Sequence, residues 1–385
     1  MKIAIFTDSF VPGVGGTEKA VLGLANALVE QGHEVLVAAP KLGKYDDSVF
    51  KFAVARFESI KITSNESVAL SSISRKAKRM IKEFAPDIIH LQTPTTMAKI
   101  VFRYVKRKQN RHIPVIMTVH TKFRLAWERN FHNCKIIVNA CVRNLRNTLY
   151  KATKICTVSQ DMAAELKLNG YNKEVTVIRN GAMLAKVDDV DENKQLAIQT
   201  YNLNNTENIL LFVGHIVKFK NLEFAFDALK LVKEQIPDFK ILLVGHGYSD
   251  AYFKKYASKL GLDDNVIFTG QITDKKLLSS IYSAGELFVF PSIFDNDPLT
   301  VVEAAVHKTP AITIENTGSS ERITNNVSGF IVKNDVKAFA DKIIYLLRHK
   351  ELLKQAGEKA ADMIPTTWEQ TATAYVDEYN KLLQK

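Results

Sequence analysis

Short apolar runs rich in β-branched residues alternate with longer amphipathic stretches from one end of the chain to the other. This alternation is typical of parallel β-sheets whose strands are joined by crossover helices. In the stretch 16–32, Ala20, Leu24 and Leu28 recur at helical spacing, and Gly32 follows as a helix stop. The runs that we interpret as strands are 2–8, 34–40, 87–93, 114–121, 154–159, 175–181, 208–214, 239–245, 265–270, 285–292, 310–316 and 329–332.

A polar, charged segment at residues 182–208 separates the first six of these runs from the last six. We therefore predict an α/β protein with two Rossmann-like, doubly wound domains, residues 1–185 and 186–364. The amphipathic segment 365–385 is predicted to be a helix that crosses back to the first domain. A ligand is expected at the carboxyl ends of the strands, in a cleft where the two domains face each other.

Several classes of protein are excluded by composition. No run of about 18 apolar residues exists, so no transmembrane helix is predicted. The chain starts with a strand pattern and lacks the features of a signal peptide. The three cysteines show no CxxC spacing and are predicted to be reduced cytosolic thiols. No metal is predicted, because no His, Cys or carboxylate cluster has ligand spacing.

Positive charge is concentrated in the first domain. Residues 1–185 contain 29 Lys and Arg against 14 Asp and Glu, whereas the remainder contains 23 against 27. The segment 70–84 has an apolar face and a basic face, and such a helix can bind an anionic membrane. The alternative is that its apolar face packs on the sheet and its cations are solvated. No groove-reading module supports nucleic-acid binding. The predicted membrane-contacting cations are Arg75, Lys76, Lys78, Arg79 and Lys82.

The glycine-rich turns indicate a phosphate rather than a dinucleotide. In PGVGGTE, Glu18 occupies the position where GxGxxG requires its last glycine, and VGHGYSD fails at Asp250. The segment VGHIVKFKNL places Lys218 and Lys220 after a strand, where a cation and a helix start favour a diphosphate. Purely geometric glycines and solvated lysines remain the alternatives. His90 and His120, which end apolar strands, could be either core or functional residues.

The stretch FDNDPLTVVE carries three carboxylates, Asp295, Asp297 and Glu303. Asp297 followed by Pro298 has the pattern of a helix N-cap and first helical residue. Asp295 would then lie in the loop, and Glu303 in the second turn of the helix. A metal site lacks further ligands, whereas a hydrolase acid/base pair remains open.

The ordered motifs GVGGTE, His120-Thr121, VIRNG, VGHIVKFKN, VGHG, VIFTG and FPS, with Glu303 eight positions after Asp295, resemble the retaining glycosyltransferases of family 4. The similarity runs from residue 2 to the segment containing Trp368. It implies the GT-B fold, a nucleotide-diphosphate sugar as donor substrate, and neither a metal nor another cofactor.

The resemblance also implies roles for individual residues. His120 would lie beside the reacting sugar, and Lys220 with His215 would bind the diphosphate. Asp295 would bind sugar hydroxyls and Glu303 the ribose hydroxyls. His120, Lys220 and Asp295 form the implied catalytic set. The implied donor-binding residues are Gly15, Gly16, His215, Lys220, Ile272, Asp295, Leu299, Thr300 and Glu303.

Four features depart from the family pattern. Asp295 replaces the usual Glu, which leaves the donor sugar open. His215 replaces an Arg and exchanges a permanent charge for a group that titrates near neutrality. Pro298 replaces a Gly and removes an N–H group. Lys308 and Thr317 also stand at glycine positions. We interpret these differences as features of a subfamily.

The expected activity is retaining, metal-independent hexosyl transfer, with UDP-sugar as donor. The basic first domain favours a membrane lipid or a lipid-linked or cell-surface saccharide as acceptor. The enzyme is expected to be cytoplasmic and peripheral on the inner face of the plasma membrane. A transferase with a soluble acceptor, a nucleotide-sugar-binding protein without activity, and a sugar-nucleotide epimerase are the alternatives. The sequence indicates no oligomeric state.

Overall fold

The structure, a computed structural model, describes residues 1–12, 15–43, 45–61, 67–131, 134–184, 189–204 and 208–384. The chain divides into two compact domains. The first comprises Met1–Gly181 together with Thr366–Lys385, and the second comprises Ala182–Pro365. The boundary that the sequence analysis placed between residues 185 and 186 lies outside the described residues.

The first domain is built on a seven-stranded parallel sheet with the order β3-β2-β1-β6-β7-β8-β9. A two-stranded antiparallel ribbon, β4-β5, accompanies it. The strands are β1 (Lys2–Phe6), β2 (Glu34–Pro40), β3 (Ala53–Phe57), β4 (Ser59–Lys61), β5 (Ser67–Ala69), β6 (Ile88–Leu91), β7 (Val115–Val119), β8 (Lys154–Thr157) and β9 (Val175–Val177). The helices are α1 (Gly16–Glu30), α2 (Arg75–Phe84), α3 (Thr96–Val105), α4 (Phe123–Asn130), α5 (Lys135–Leu149) and α6 (Gln160–Leu168).

The second domain has a six-stranded parallel sheet with the order β12-β11-β10-β13-β14-β15. The strands are β10 (Asn208–Val213), β11 (Phe239–Val244), β12 (Val266–Gly270), β13 (Leu287–Phe290), β14 (Ala311–Ile314) and β15 (Gly329–Val332). The helices are α7 (Val190–Asn193), α8 (Gln195–Tyr201), α9 (Leu222–Gln235), α10 (Asp250–Lys259), α11 (Lys275–Ala284), α12 (Leu299–Val306), α13 (Val336–Arg348) and α14 (Lys350–Met363). The predicted pair of doubly wound α/β domains is therefore confirmed.

The last helix, α15 (Trp368–Leu383), packs in the first domain. It starts with a capping box in which Thr367 and Gln370 bond each other's backbone N–H groups. Its buried residues Tyr375 and Tyr379 join the core of α1 on one face of the first sheet. The helices α2, α3, α5 and α6 share the core on the other face. The sheet is thus covered on both sides, as its nearly all-apolar strands require.

The structure contains one strand in the main sheets that the sequence analysis omitted, β3. It lies at the edge of the sheet, where Ala53 is exposed and Val54 and Arg56 are only partly buried, and Arg56 interrupts its short apolar sequence. The three cysteines are free thiols. Burial raises the pKa of Cys156 to about 12.

The basic helix α2 uses its apolar face within the protein. Ala77 and Ile81 are buried, and Met80 and Phe84 pack against the same core. The five cations predicted to contact a membrane are all exposed. Any membrane contact of α2 therefore depends on charge rather than on insertion of this apolar face. Within the described ranges, no helix combines the length and the apolar character needed to cross a bilayer.

Candidate active site

The predicted donor-binding motifs of the second domain lie at one edge of its sheet, where the parallel strands β10 to β13 end. A Cβ atom at Gly245 would overlap the carbonyl group of Gly214, so these two turns approach backbone to backbone. Gly270, at the end of β12, has a φ of 74°. His215 is exposed beside Gly214, and Ile272 is half-buried against the domain core. Here the edge presents backbone groups and the exposed side chain of His215.

Lys220 and Asp295 form an ion pair at this edge. The Lys220 Nζ lies 2.6 Å from Oδ1 and 2.8 Å from Oδ2 of Asp295. The two side chains are only 13% and 22% exposed, so the pair is shielded from solvent. Lys218, in the same 3-10 turn, instead approaches Glu223 at 3.8 Å and covers the Tyr252 ring. Two residues that are 75 positions apart in the sequence thus form one ion pair.

The prediction that Asp297 is a helix N-cap is wrong. The N-cap of α12 is Pro298, and it makes no side-chain capping bond. Asp297 instead accepts a bidentate pair of bonds from Arg322, from Nε at 2.6 Å and from Nη2 at 2.7 Å. Both side chains are almost completely buried, and Arg322 also donates to the carbonyl of Ile364. Asp297 therefore anchors the acidic loop to the domain interior.

A second anchor holds the acidic loop from the turn after β14. Gly318 packs so closely on Asn296 that a Cβ atom would overlap the Asn296 backbone. Thr317 and Ser320 form a capping box around this turn. Thr317, which stands where the family has a glycine, thus caps this turn. Lys308 adopts a φ of 58°, the left-handed conformation in which glycine is favoured.

Glu303 is fully buried in the second turn of α12. Tyr282, on α11, donates its hydroxyl to Glu303 Oε2 at 2.8 Å, and burial beside this carboxylate raises the pKa of Tyr282 well above its usual value. His307 donates from Nδ1 to the Glu303 carbonyl at 2.7 Å and approaches Ser279 through Nε2. Leu299 and Thr300, in the first turn, are buried and half-buried. The Tyr282 bond thus orients the Glu303 carboxylate, and the His307 bond holds the backbone of this turn.

The predicted residues of the first domain lie at the carboxyl edge of its own sheet. Gly15 is the N-cap of α1, and Gly16 begins the helix. His120 follows β7 and approaches Gln92 Oε1 through Nε2 at 2.6 Å. His90 is completely buried and hydrogen-bonded to Tyr379 and Thr118, which makes it a satisfied core residue. Burial and the nearby His120 lower the pKa of His90 to about 3.

Tyr282 and Arg322 were missed by the sequence analysis. Tyr282 lies in KLLSSIYSA, where a buried tyrosine on an apolar helical face would need a partner for its hydroxyl. This need for a hydroxyl partner was the sequence feature that could have identified Tyr282. Arg322 lies in SSERIT and carries no local pattern that distinguishes it from a surface arginine. Its contact with Asp297 arises only from the tertiary fold.

Two family models match the chain. Residues 193–363 match the model "Glycosyl transferases group 1", and residues 14–186 match "Glycosyltransferase Family 4". Together they cover both domains.

Individual proteins are similar to the chain over most of its length. The chain is 23% identical to the GDP-mannose-dependent alpha-mannosyltransferase of Corynebacterium glutamicum, over 98% of this chain and 88% of that protein. It is 26% identical to the alpha-monoglucosyldiacylglycerol synthase of Streptococcus pneumoniae, over 86% of this chain and 74% of that protein. Its fold matches Anabaena HepE in complex with UDP and glucose, with a TM-score of 0.75, 18% identity and 99% of each chain covered. The chain belongs to the family 4 glycosyltransferases of the GT-B fold, enzymes that transfer a sugar from a nucleotide sugar.

Proposed function

We propose that this glycosyltransferase moves a hexosyl group from a UDP-sugar, with retention and without a metal, to a hydroxyl of a membrane lipid or a lipid-linked saccharide. The observation that supports this proposal most directly is the Lys220–Asp295 pair at the carboxyl edge of the second sheet. A cation placed there suits a diphosphate, and a carboxylate beside it suits sugar hydroxyls.

Lys220 has three N–H groups, of which two are directed at the oxygens of Asp295. The third can donate to a phosphate oxygen of the donor. Asp295 has further lone pairs for sugar hydroxyls, and the fixed carboxylate of Glu303 can accept bonds from ribose. Because Asp295 is already bound to an ammonium group, it is a poor nucleophile and serves as a hydrogen-bond acceptor.

In the proposed reaction the acceptor hydroxyl attacks C1 of the sugar from the side of the leaving group. The bond from C1 to the diphosphate oxygen breaks, and a new bond from C1 to the acceptor oxygen forms on the same face. The acceptor proton passes to a diphosphate oxygen, so the products are the glycoside and UDP. Lys220 stabilises the charge that develops on the leaving diphosphate, the task that a metal ion performs in other transferases.

A donor panel tests this proposal. We expect UDP-glucose or another UDP-sugar to raise the melting temperature by mass action and to be hydrolysed slowly without acceptor. The hydrolysis should be unaffected by EDTA, and NMR of the released sugar should show the anomeric configuration of the donor at early times. If GDP-mannose alone raised the melting temperature, the donor would carry guanine rather than uracil. Failure of every UDP- and GDP-sugar to bind would contradict the proposed donor site.

Two observations support a lipid acceptor. The cations of α2 are exposed, and the name of the streptococcal relative contains a diacylglycerol lipid. Anionic vesicles should retain more protein than neutral vesicles in flotation. The variant Lys78→Glu/Lys82→Glu should lose most of this difference, because about 1 kcal/mol of attraction is lost per cation near the surface.

Lys255→Glu/Lys259→Glu is the matched control. These lysines lie on α10 of the second domain, are exposed, and have the same spacing of four residues. Their reversal should leave flotation nearly unchanged. Equal partitioning of the unaltered protein to neutral and anionic vesicles would favour a transferase with a soluble acceptor.

A further inference from the structure

A small cavity in the first domain lies between α3 and the end of α5. Its volume is about 190 Å³. The Phe102 side chain, which is 8% exposed, and the half-buried Thr148 provide its neutral lining. The rest of the lining is positively charged, and among the described residues it includes no carboxylate. The four cations are exposed, and they are Lys99, Arg103, Lys106 and Lys151.

The charges of these four cations are not balanced by nearby acids. Within the described part of the chain none of their side chains forms an ion pair, and the Lys151 Nζ covers the Phe102 ring at 5.9 Å from its centre. The sequence explains this imbalance, because residues 88–160 contain 14 Lys and Arg but only one acidic residue, Glu128. The cavity is therefore a place where positive charge is concentrated without compensation.

The spacing of the cations along α3 is unfavourable for the helix itself. Lys99 and Arg103 are four residues apart, and Lys106 follows three residues later as the C-cap. Like charges at these spacings destabilise a helix. The helix dipole favours a cation at Arg103 and Lys106 but disfavours one near the helix start, where Lys99 lies. Neither helix stability nor the dipole accounts for the whole cluster.

The cavity is separate from the edge of the sheet at which His120 lies. The helix α3 starts at the carboxyl edge, where Asp8 accepts a bond from its Met97 N–H at 3.0 Å. It ends at the opposite edge, as does α5. There Thr153, two residues after the cavity residue Lys151, donates to no strand end but accepts from the N–H of Val115, the first residue of β7. His120 follows the other end of β7.

We propose that this cavity binds a phosphate group, either inorganic phosphate or the phosphomonoester headgroup of a lipid. Such a group carries roughly −1.5 to −2 charges at pH 7, which matches a cluster of cations better than a singly charged phosphodiester does. The volume is below the roughly 300–1,000 Å³ of pockets that enclose whole ligands, so a single group fits better than a nucleotide. The inference concerns binding alone and does not rest on the proposed function.

The lipid is a plausible source of the phosphate because of where the cavity lies. The helices α2, α3 and α5 pack on the same face of the first sheet. A lipid headgroup can therefore reach the cavity from a bilayer that the exposed cations of α2 contact. Inorganic phosphate in solution is the other source, and the two sources are distinguished by experiment.

Calorimetric titration with inorganic phosphate, at low ionic strength to limit screening, tests the site. We expect Arg103→Gln/Lys151→Gln to bind phosphate about 10-fold or more weakly than the unaltered protein, because charge-assisted hydrogen bonds are lost. Arg107→Gln/Lys108→Gln is the matched control. It removes the same charge from exposed neighbours that do not line the cavity, and its affinity should be nearly unchanged. Phosphate bound beside Lys220 would respond equally to both pairs.

Vesicle flotation identifies the source of the phosphate. Neutral vesicles containing phosphatidic acid, a phosphomonoester, are compared with vesicles of equal surface charge containing phosphatidylglycerol, a phosphodiester. If a lipid supplies the group, the unaltered protein prefers phosphatidic acid, and Arg103→Gln/Lys151→Gln loses this preference. The α2 variant Lys78→Glu/Lys82→Glu keeps the preference at a lower total retention. Binding of inorganic phosphate without this preference would assign the site to free phosphate.

Two results would overturn the inference. One is the absence of both phosphate binding and a preference for phosphatidic acid in the unaltered protein. The other is an equal loss in the two glutamine pairs, which would show a general effect of charge. All the substituted cations are exposed, so the melting temperature without phosphate should change little, and lost binding is not confused with unfolding. Failure of every donor sugar to bind, with phosphate binding at the cavity intact, would contradict only the proposed function.

Discussion

Lys220→Ala is expected to lower kcat/KM for sugar transfer by about 10²–10³, the usual effect of removing one preorganised group that stabilises developing negative charge. Lys220 is shielded from solvent and held by both oxygens of Asp295. Its charge is therefore less screened than that of an exposed lysine. The substitution removes the cation facing the leaving diphosphate and also frees Asp295 to change orientation. Transfer rates measured under saturating acceptor, with product detected by NMR, would check the effect.

Lys218→Ala provides the matched control, because Lys218 lies in the same 3-10 turn but is exposed and approaches Glu223. Its loss should change kcat/KM by less than about 3-fold, the effect of a solvent-screened charge. Asp295→Asn should retain the shape of the site while weakening its hold on Lys220. Full activity of Lys220→Ala would contradict the assigned role of this residue, and equal losses in both lysine variants would indicate a general charge effect.

The fold was predictable because it depends on features that are local in the sequence. The strands β6 and β13 are short runs of buried residues, and α15 begins with Thr367 and Gln370 in capping positions. Each of these elements can therefore be recognised from its own stretch of sequence. The strand β3 was missed because it is a partly exposed edge strand whose short apolar sequence is interrupted by Arg56.

The partners within the site could not be predicted in the same way. Asp297 followed by Pro298 satisfied the local pattern of a helix N-cap, yet Arg322 binds it from 25 positions away. Glu303 was found from the family pattern, but the tyrosine that fixes its carboxylate lies on another helix. Hydrogen bonds between distant elements depend on how those elements pack, and a local pattern contains no information on that packing.

Arg322→Met is expected to lower the free energy of unfolding of the second domain by about 3–5 kcal/mol, because it leaves a buried carboxylate without its cation. The Arg322 and Asp297 side chains are 5% and 1% exposed, so solvent cannot replace the lost partner. For a domain of this size the melting temperature should fall by roughly 6–20 °C. Calorimetry that resolves the two domains would measure it.

The double variant Asp297→Leu/Arg322→Met distinguishes the cost of an unpaired charge from the role of the pair in holding the acidic loop. Removing both charges should recover most of the lost stability, since apolar residues of similar volume commonly replace buried ion pairs. Transfer activity should remain reduced, because Asp295 lies two residues from the lost anchor and its geometry toward Lys220 depends on that anchor. Recovery of both stability and activity would show that the pair is dispensable and that the packing of Gly318 on Asn296 alone positions the loop. Recovery of neither would show that the bidentate geometry itself, rather than charge neutrality, supports this part of the domain.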